Sequence, residues 1–305
     1  MLSPVQDRAH GAFLGLAVGD ALGATLEFEE RDELPHHTEM LGGGPFNLKP
    51  GQWTDDTSMA LALAESLIAH PEFEATDLMR RFVAWAEDGA YSCTGTCFDI
   101  GIITRNSLGY FQRTGDPFAG SPAPDRAGNG SLMRIAPVAL RALEDDALAA
   151  RVARDQSRTT HAAAEAVEAC ELFVQILREA IQGAGMTALR PRAWGSTPRV
   201  QAIAAGAWRG KPRAKIRSTG YVIDTLEAAL WCADQAKSFE DALVLAVNLA
   251  GDADTVGAVT GQIAGAIFGA SDIPERWLAP LAWRDKLEAL ATQLTRSVSE
   301  QQART

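Results

Sequence analysis

The stretch GAFLGLAVGDALG, residues 11–23, sets a glycine at every fourth position, Gly11, Gly15, Gly19 and Gly23. Near the other end of the chain GAVTGQIAGAIFG, residues 257–269, repeats the device with Gly257, Gly261, Gly265 and Gly269. Glycine inside a helix is less favourable than alanine by about 1 kcal/mol. Two bare stripes at helical spacing therefore predict two central helices, each closely approached by another backbone, with each other as a candidate partner. Working outward, hydrophobic period and turn signals predict helices over about 5–22, 57–70, 75–88, 96–110, 131–142, 145–155, 160–184, 198–207, 221–236, 238–250, 255–269 and 283–297. Almost no segment alternates like a strand. The Gly- and Pro-rich stretches 41–51, 114–130 and 209–220 read as loops between helices rather than linkers between domains. The expectation is a single all-α domain over residues 1–305.

Composition narrows the function. With 305 residues, 47% hydrophobic, the chain can bury a sizeable core. Its formal net charge of −11 lacks the basic footprint of a nucleic-acid binder. The apolar runs at 242–251 and 256–269 fall short of the roughly 18–20 residues of a membrane span, and the start MLSPVQDRAHGAF carries no export signal. Four cysteines form no Cys-x-x-Cys pair, which suits thiols in a reducing compartment and disfavours zinc. A cytoplasmic monomer with no membrane contact is expected.

The segment NLAGDADTV places Asp252, Asp254 and Thr255 ahead of the second glycine stripe, and QWTDDTSMA places Thr54, Asp55 and Asp56 ahead of another apolar helix. Either motif alone reads as a helix cap, worth about 0.3–2 kcal/mol. As a pair they exceed what capping needs: clustered carboxylates repel unless a cation lies between them. All-oxygen donors suit Mg²⁺, Mn²⁺ or Ca²⁺. An EF-hand starting at Asp252 is excluded, because its twelfth position is Ile263 rather than a bidentate Glu. Glu27 follows the first striped helix and joins the cluster if the stripes meet. Five acids are more than one Mg²⁺ takes, which points to a two-ion site.

The motifs GAFLGLAVGDALGATLEF, GQWTDDTSMALALAESL, GNGSLMRIAPVAL, THAAAEAVEAC and NLAGDADTVGAVTGQIAGAIFG, spread over residues 8–270, resemble the ordered motif set of the ADP-ribosylglycohydrolase family, most of all its bacterial dinitrogenase reductase-activating members. The resemblance implies an all-α orthogonal bundle holding two divalent cations, Mg²⁺ or Mn²⁺, at its centre. It implies ligation by Thr54, Asp55, Asp56, Asp252, Asp254 and Thr255, and acid-base work by Glu27 or Asp99, between which the sequence does not choose. Read without it, Asp99 is a solvated loop acid.

The same resemblance turns AGNGSLM into a substrate loop. Gly128, Asn129, Gly130 and Ser131, read alone, are an Asn-Gly turn with a Ser N-cap before a helix; the resemblance sets them and Met133 against ADP-ribose. His161, read in the first turn of a long helix, and Tyr221, whose face suits adenine, take binding roles on the same ground. The loop RGKPRAKIRSTG, 209–220, reads as solvated, with phosphate or an acidic surface as the alternative. Trp53 reads as packing, and His36 and His37 as surface. The implied activity is hydrolysis of ADP-ribose from mono-ADP-ribosylated protein, at arginine, with ADP-ribose as product. Serine-linked, nucleic-acid-linked or O-acetyl-ADP-ribose are alternative substrates, and a non-catalytic ADP-ribose-binding or structural protein is the rival. Retention of all the acids speaks against that rival.

Overall fold

The computed structural model describes residues 2–296, and among them every regular element is a helix. In chain order the α-helices are α1 (Pro4–Gly23), α2 (Asp55–Ala69), α3 (Ala75–Asp88), α4 (Ile102–Thr114), α5 (Ala136–Arg141), α6 (Asp146–Thr160), α7 (Ala164–Glu179), α8 (Pro198–Ala204), α9 (Val222–Gln235), α10 (Phe239–Val247), α11 (Ala253–Phe268), α12 (Glu275–Leu278) and α13 (Arg284–Leu294). Extended pairing among the described residues is confined to isolated bridges.

Ser3 starts α1 through a capping box with Gln6, and Pro4 occupies the first helical turn, where its missing N–H costs nothing. From Ala9 to Gly23 the helix is buried on all sides, and α11 is buried from Ala253 to Ala266. Helices apolar all round belong in a core. The segment Pro4–Leu26 has the length and apolarity of a membrane span, which inspection of the shorter runs misses, but 94% of that window is buried inside the protein.

The two stripes face each other, antiparallel. A Cβ built on Gly11 would stand 2.3 Å from the carbonyl oxygen of Gly265, one on Gly15 2.2 Å from that of Gly261, and one on Gly19 2.1 Å from that of Gly257. The reciprocal distances from Gly257, Gly261 and Gly265 are 2.4, 1.9 and 1.9 Å. No alanine fits at such separations. The stripe ends at Gly23, which abuts Ala253 instead of a glycine. Gly269 departs from the expectation: at φ 90° it terminates α11, and a Cβ there would meet the Asp7 carboxylate.

Around this pair, α9 and α10 lie against α11, while α2, α5 and α13 lie against α1. One connected apolar core includes residues of all thirteen helices. Trp53 is fully buried within it, its indole N–H donating to the Ala282 carbonyl. Several expected boundaries move, among them the helix end expected at 155, which α6 carries on to Thr160. The helix expected at 96 starts at Ile102, the one expected at 131 starts at Ala136, and the long helix over 160–184 is α7 followed by a π turn, Ala180–Ala184. Residue 297, the expected end of α13, lies outside the described residues. His37, read as surface, is buried, with Nε2 3.1 Å from the Leu22 carbonyl. The consequence for function is simple: antiparallel contact puts the C-terminal end of α1 beside the N-terminus of α11.

Candidate active site

Three helix ends meet at this point. Asp20, fully buried one turn before the end of α1, takes hold of the start of α2. Its Oδ1 accepts from the Thr54 amide and hydroxyl, both at 2.8 Å, and its Oδ2 from the Thr57 amide and hydroxyl at 2.9 and 2.6 Å. Asp20 thus performs the capping that the sequence suggested for Thr54, whose side chain caps nothing. At α11 the substitution is parallel. Asp252 makes no side-chain cap; Glu27 Oε2 accepts from the amides of Ala253 (2.8 Å) and Asp254 (3.4 Å). With both N-termini capped from outside, the acids of the two motifs are left for other work.

Those acids converge. Carboxylate oxygens of Asp20, Asp56 and Asp254 lie within 4.8 Å of one another, as do those of Glu27, Asp252 and Asp254, and those of Asp55, Asp99 and Asp254. Asp254 belongs to all three groups. Thr54 Oγ1 stands 3.1 Å from Asp254 Oδ2 and 3.3 Å from Asp56 Oδ2. Asn129 holds Asp252 Oδ2 at 2.6 Å and is braced by the Thr225 hydroxyl at 2.9 Å. Asp56 Oδ1 is buried with no partner, a condition that normally costs about 1–3 kcal/mol.

No lysine, arginine or histidine pairs with any of these seven carboxyls among the described residues. The electrostatic strain is correspondingly large. Burial first, and then the Asp254 charge, pushes the carboxyls of Asp20 and Asp252 up to about 7. Burial, followed by Asp55 and Asp254, pushes Asp99 up to about 11. Asp55, Asp56 and Glu27 are raised for the same leading reason. A group of carboxylates this crowded is stable as anions only with positive charge among them. The all-oxygen donors, the unpartnered Asp56 Oδ1 and the missing counter-charge fit hard divalent cations.

A cavity of about 680 Å³ opens onto the cluster. Of the residues singled out in the sequence, Glu27, Asp55, Asp99, Gly128, Asn129, Gly130, Met133, His161, Asp252, Asp254 and Thr255 line it. Thr54 and Asp56 lie beneath its floor. Ser131 does not reach it: fully buried, its hydroxyl meets Ser157 at 2.8 Å, and because helix α5 starts only at Ala136 it caps nothing. Tyr221 lines a neighbouring cavity of about 600 Å³ with Glu165 and Arg199, sharing Ile103, Gly128 and Gly220 with the first. Its hydroxyl donates to Glu165, and the Arg199 guanidinium lies 5.7 Å from its ring centre. His161 is placed differently from the sequence reading, at the C-terminal cap of α6 rather than in the first turn of a helix. Asp99 sits in left-handed backbone, φ 59°, in the irregular loop before α4. The basic side chains of the loop 209–220 do not line the cavity, and Arg209, Lys211, Arg213 and Arg217 pair with Asp234, Glu227, Asp32 and Asp224. Its uncharged end, Ser218 to Gly220, does line the cavity. Sequence reasoning missed Asp20 altogether, although it is the only acid between Arg8 and Glu27.

Fold and site together define an all-helical protein with a carboxylate-lined cavity where helix ends meet. The model of the ADP-ribosylglycohydrolase family matches residues 1–304, and the chain belongs to that family of glycosyl hydrolases. It is 45% identical over 296 residues to "ADP-ribosylarginine hydrolase Tri1" of Pseudomonas putida (strain GB-1), covering 96% of this chain and 80% of the relative. It is 37% identical over 281 residues to "ADP-ribosyl-[dinitrogen reductase] glycohydrolase" of Rhodospirillum rubrum, covering 91% of each. A solved structure described as "ADP-ribosylglycohydrolase-related protein complex" superposes with TM-score 0.85 at 44% identity, covering 97% of this chain and 99% of that one.

Proposed function

We propose that the chain, acting as one domain, is a divalent-cation-dependent hydrolase that releases ADP-ribose from mono-ADP-ribosylated arginine on a protein. The observation that carries this reading is the group of carboxylates around Asp254, which has no ion-pair partner among the described residues and lines a cavity large enough for a nucleotide-sized ligand. The names of the relatives from Pseudomonas putida and Rhodospirillum rubrum supply the ADP-ribose substrate, and the former the arginine linkage.

Thr54, Asp55 and Asp56 on one side and Asp252, Asp254 and Thr255 on the other would hold two ions, Mg²⁺ or Mn²⁺. When bound, such ions neutralise the carboxylates, orient sugar hydroxyls and make water acidic enough to react near neutral pH. The remaining tasks belong to side chains. Hydrolysis adds water to the anomeric carbon as the bond to the guanidine nitrogen breaks; one proton leaves the water and one reaches the departing nitrogen. Asp99 is the group we assign to this proton traffic. No amide, hydroxyl or cationic side chain donates to it among the described residues, and it lines the cavity beside Asp55 and Asp254. Glu27 has one oxygen committed to the α11 amides, which makes it a positioning residue within the group of Asp252 and Asp254. Gly128 and Gly130, whose amides donate to no protein acceptor among the described residues, offer donors to the ligand's oxygens. Asn129 holds Asp252, and Met133 supplies apolar wall. Tyr221 and the second cavity would receive the nucleobase end.

The test is to offer arginine-, serine- and nucleic-acid-linked ADP-ribose to the purified protein, each with and without Mg²⁺ or Mn²⁺. Metal-dependent release from arginine alone, or far faster from arginine, supports the reading. Release from another linkage with arginine untouched refutes the substrate, and no release from any of them favours a non-catalytic role.

A further inference from the structure

Arg134 is a fully buried cation with no carboxylate partner among the described residues. It does not line the cavity, and nothing in the proposed reaction uses it. Its guanidinium lies 4.6 Å from the centre of the Phe82 ring. Nε donates to Gln156 Oε1 at 2.9 Å, and the second terminal nitrogen donates to the Gln156 carbonyl (2.9 Å), Thr159 Oγ1 (3.4 Å) and Thr160 Oγ1 (3.0 Å). Among the described residues Thr160 Oγ1 has one further hydrogen-bond neighbour, His161 Nδ1 at 2.8 Å.

We propose that Arg134 and Thr160 are positioning residues that hold His161 in its Nε2–H tautomer, so that the imidazole presents a hydrogen-bond donor, not an acceptor, to an oxygen of the bound substrate.

A guanidinium only donates, so Thr160 Oγ1 accepts from Arg134. The Thr160 hydroxyl is fully buried, so its own proton has no water to meet. Among the described residues the acceptor in reach is His161 Nδ1. That nitrogen must then carry its lone pair, which leaves the ring proton on Nε2. Nε2 has no protein partner among the described residues, although His161 is only 3% exposed. It faces the substrate loop: a Cβ on Gly128 would lie 3.2 Å from Nε2, and one on Gly130 2.7 Å from Cε1. The bare glycines let the ring close on that loop. The ring is also kept neutral, since burial and then the Arg134 charge lower its pKa to about 3. A neutral donor serves phosphate oxygens and ribose hydroxyls alike, whereas the opposite tautomer would turn a lone pair toward them. The identity of the ligand oxygen rests on the proposed function; the tautomer does not.

Long-range ¹H–¹⁵N correlation spectra of the imidazoles read the tautomer directly. They would be recorded on wild type, with His161 assigned from H161Q, and on Thr160→Val and Thr160→Ser. Wild type and T160S should show the Nε2–H pattern, and T160V should move toward Nδ1–H. With the substrate that wild type hydrolyses, T160V should raise KM, and the Kd for ADP-ribose, about tenfold, the value of one hydrogen bond. Its kcat should stay within a few-fold, and T160S should match wild type. An Nδ1–H pattern in wild type overturns the proposal, and needs no variant to fold. So does T160V with the wild-type tautomer and affinity. Wild type that binds no ADP-ribose refutes the proposed function, while the tautomer spectrum still decides the relay.

Discussion

Replacing Gly261 with alanine puts one methyl group where the backbones of α1 and α11 touch. The new Cβ would lie 1.9 Å from the Gly15 carbonyl oxygen and 2.5 Å from its carbon. Both are backbone atoms, so no rotamer change relieves the clash. To regain an ordinary contact of about 3.4 Å the helices must part by about 1.5 Å at that level. Overpacking costs typically about 1–3 kcal/mol, and more where backbones collide. Alanine regains about 1 kcal/mol of helix propensity, so a net loss of about 2 kcal/mol or more is expected. Gly109→Ala in α4 is the control, because only the mobile end of Arg113 comes near, at 3.3 Å. It should be neutral or stabilising by up to about 1 kcal/mol. Urea unfolding of both variants gives the difference. G261A should also lose activity about 100-fold or more, because α11 carries Asp254 while Asp20 and Glu27 stay with α1, and 1 Å of misplacement costs on that order. A G261A protein as stable and as active as wild type would refute the claim that this contact sets the site.

Three further outcomes follow from the geometry. In protein stripped of divalent ions, Asp20 and Asp252 titrate near 7 when folded, against an ordinary 3.8, so their stabilising contribution is present at low pH and lost as pH rises through 7. Stability should rise from pH 8 to 6.5 by at most about 1.4 kcal/mol per pH unit per group, and Mn²⁺ should flatten the slope; a flat or inverted profile in the stripped protein contradicts it. Below 6.5 His161, held neutral when folded, works in the opposite sense. Asp99→Asn should cut kcat by about 10²–10⁴ without lowering Tm, since no donor is lost; unchanged turnover removes Asp99 from the proton traffic. Asn129→Ala frees the Asp252 carboxylate and should cost roughly 1.5–3 kcal/mol in urea unfolding of the Mn²⁺-loaded protein, with weaker Mn²⁺ binding; wild-type values for both would show that Asn129 does not hold the acid.

Much of this was legible because certain local costs make sense only in a tertiary setting. Four-residue glycine spacing is expensive in an isolated helix, and that expense announced the α1–α11 contact. Doubled aspartates exceed what a cap requires, and that surplus announced the cluster. What escaped notice lacked such a local cost. Asp20 reads as one polar residue on a buried helix until Thr54 and Thr57 arrive from more than thirty positions away. The break at His161 contains neither glycine nor proline; α6 ends there while Ser157 Oγ bonds the His161 carbonyl, and the run of alanines that follows gives no warning. Asp99 is aimed by left-handed backbone in a loop that periodicity cannot describe. The basic loop is exposed as read, and its ion pairs escaped notice because Asp224, Glu227 and Asp234 on α9 and the remote Asp32 leave no signal in the loop itself.

The most direct test of the account is calorimetric titration of Mg²⁺ or Mn²⁺ into the stripped protein and into Asp254→Asn. Asp254 is the one residue common to all three carboxylate groups, so wild type should bind two ions per chain and D254N should retain neither at wild-type affinity, with ADP-ribosylarginine hydrolysis lost in parallel. Absence of binding in wild type, or equal binding and turnover in D254N, would contradict it.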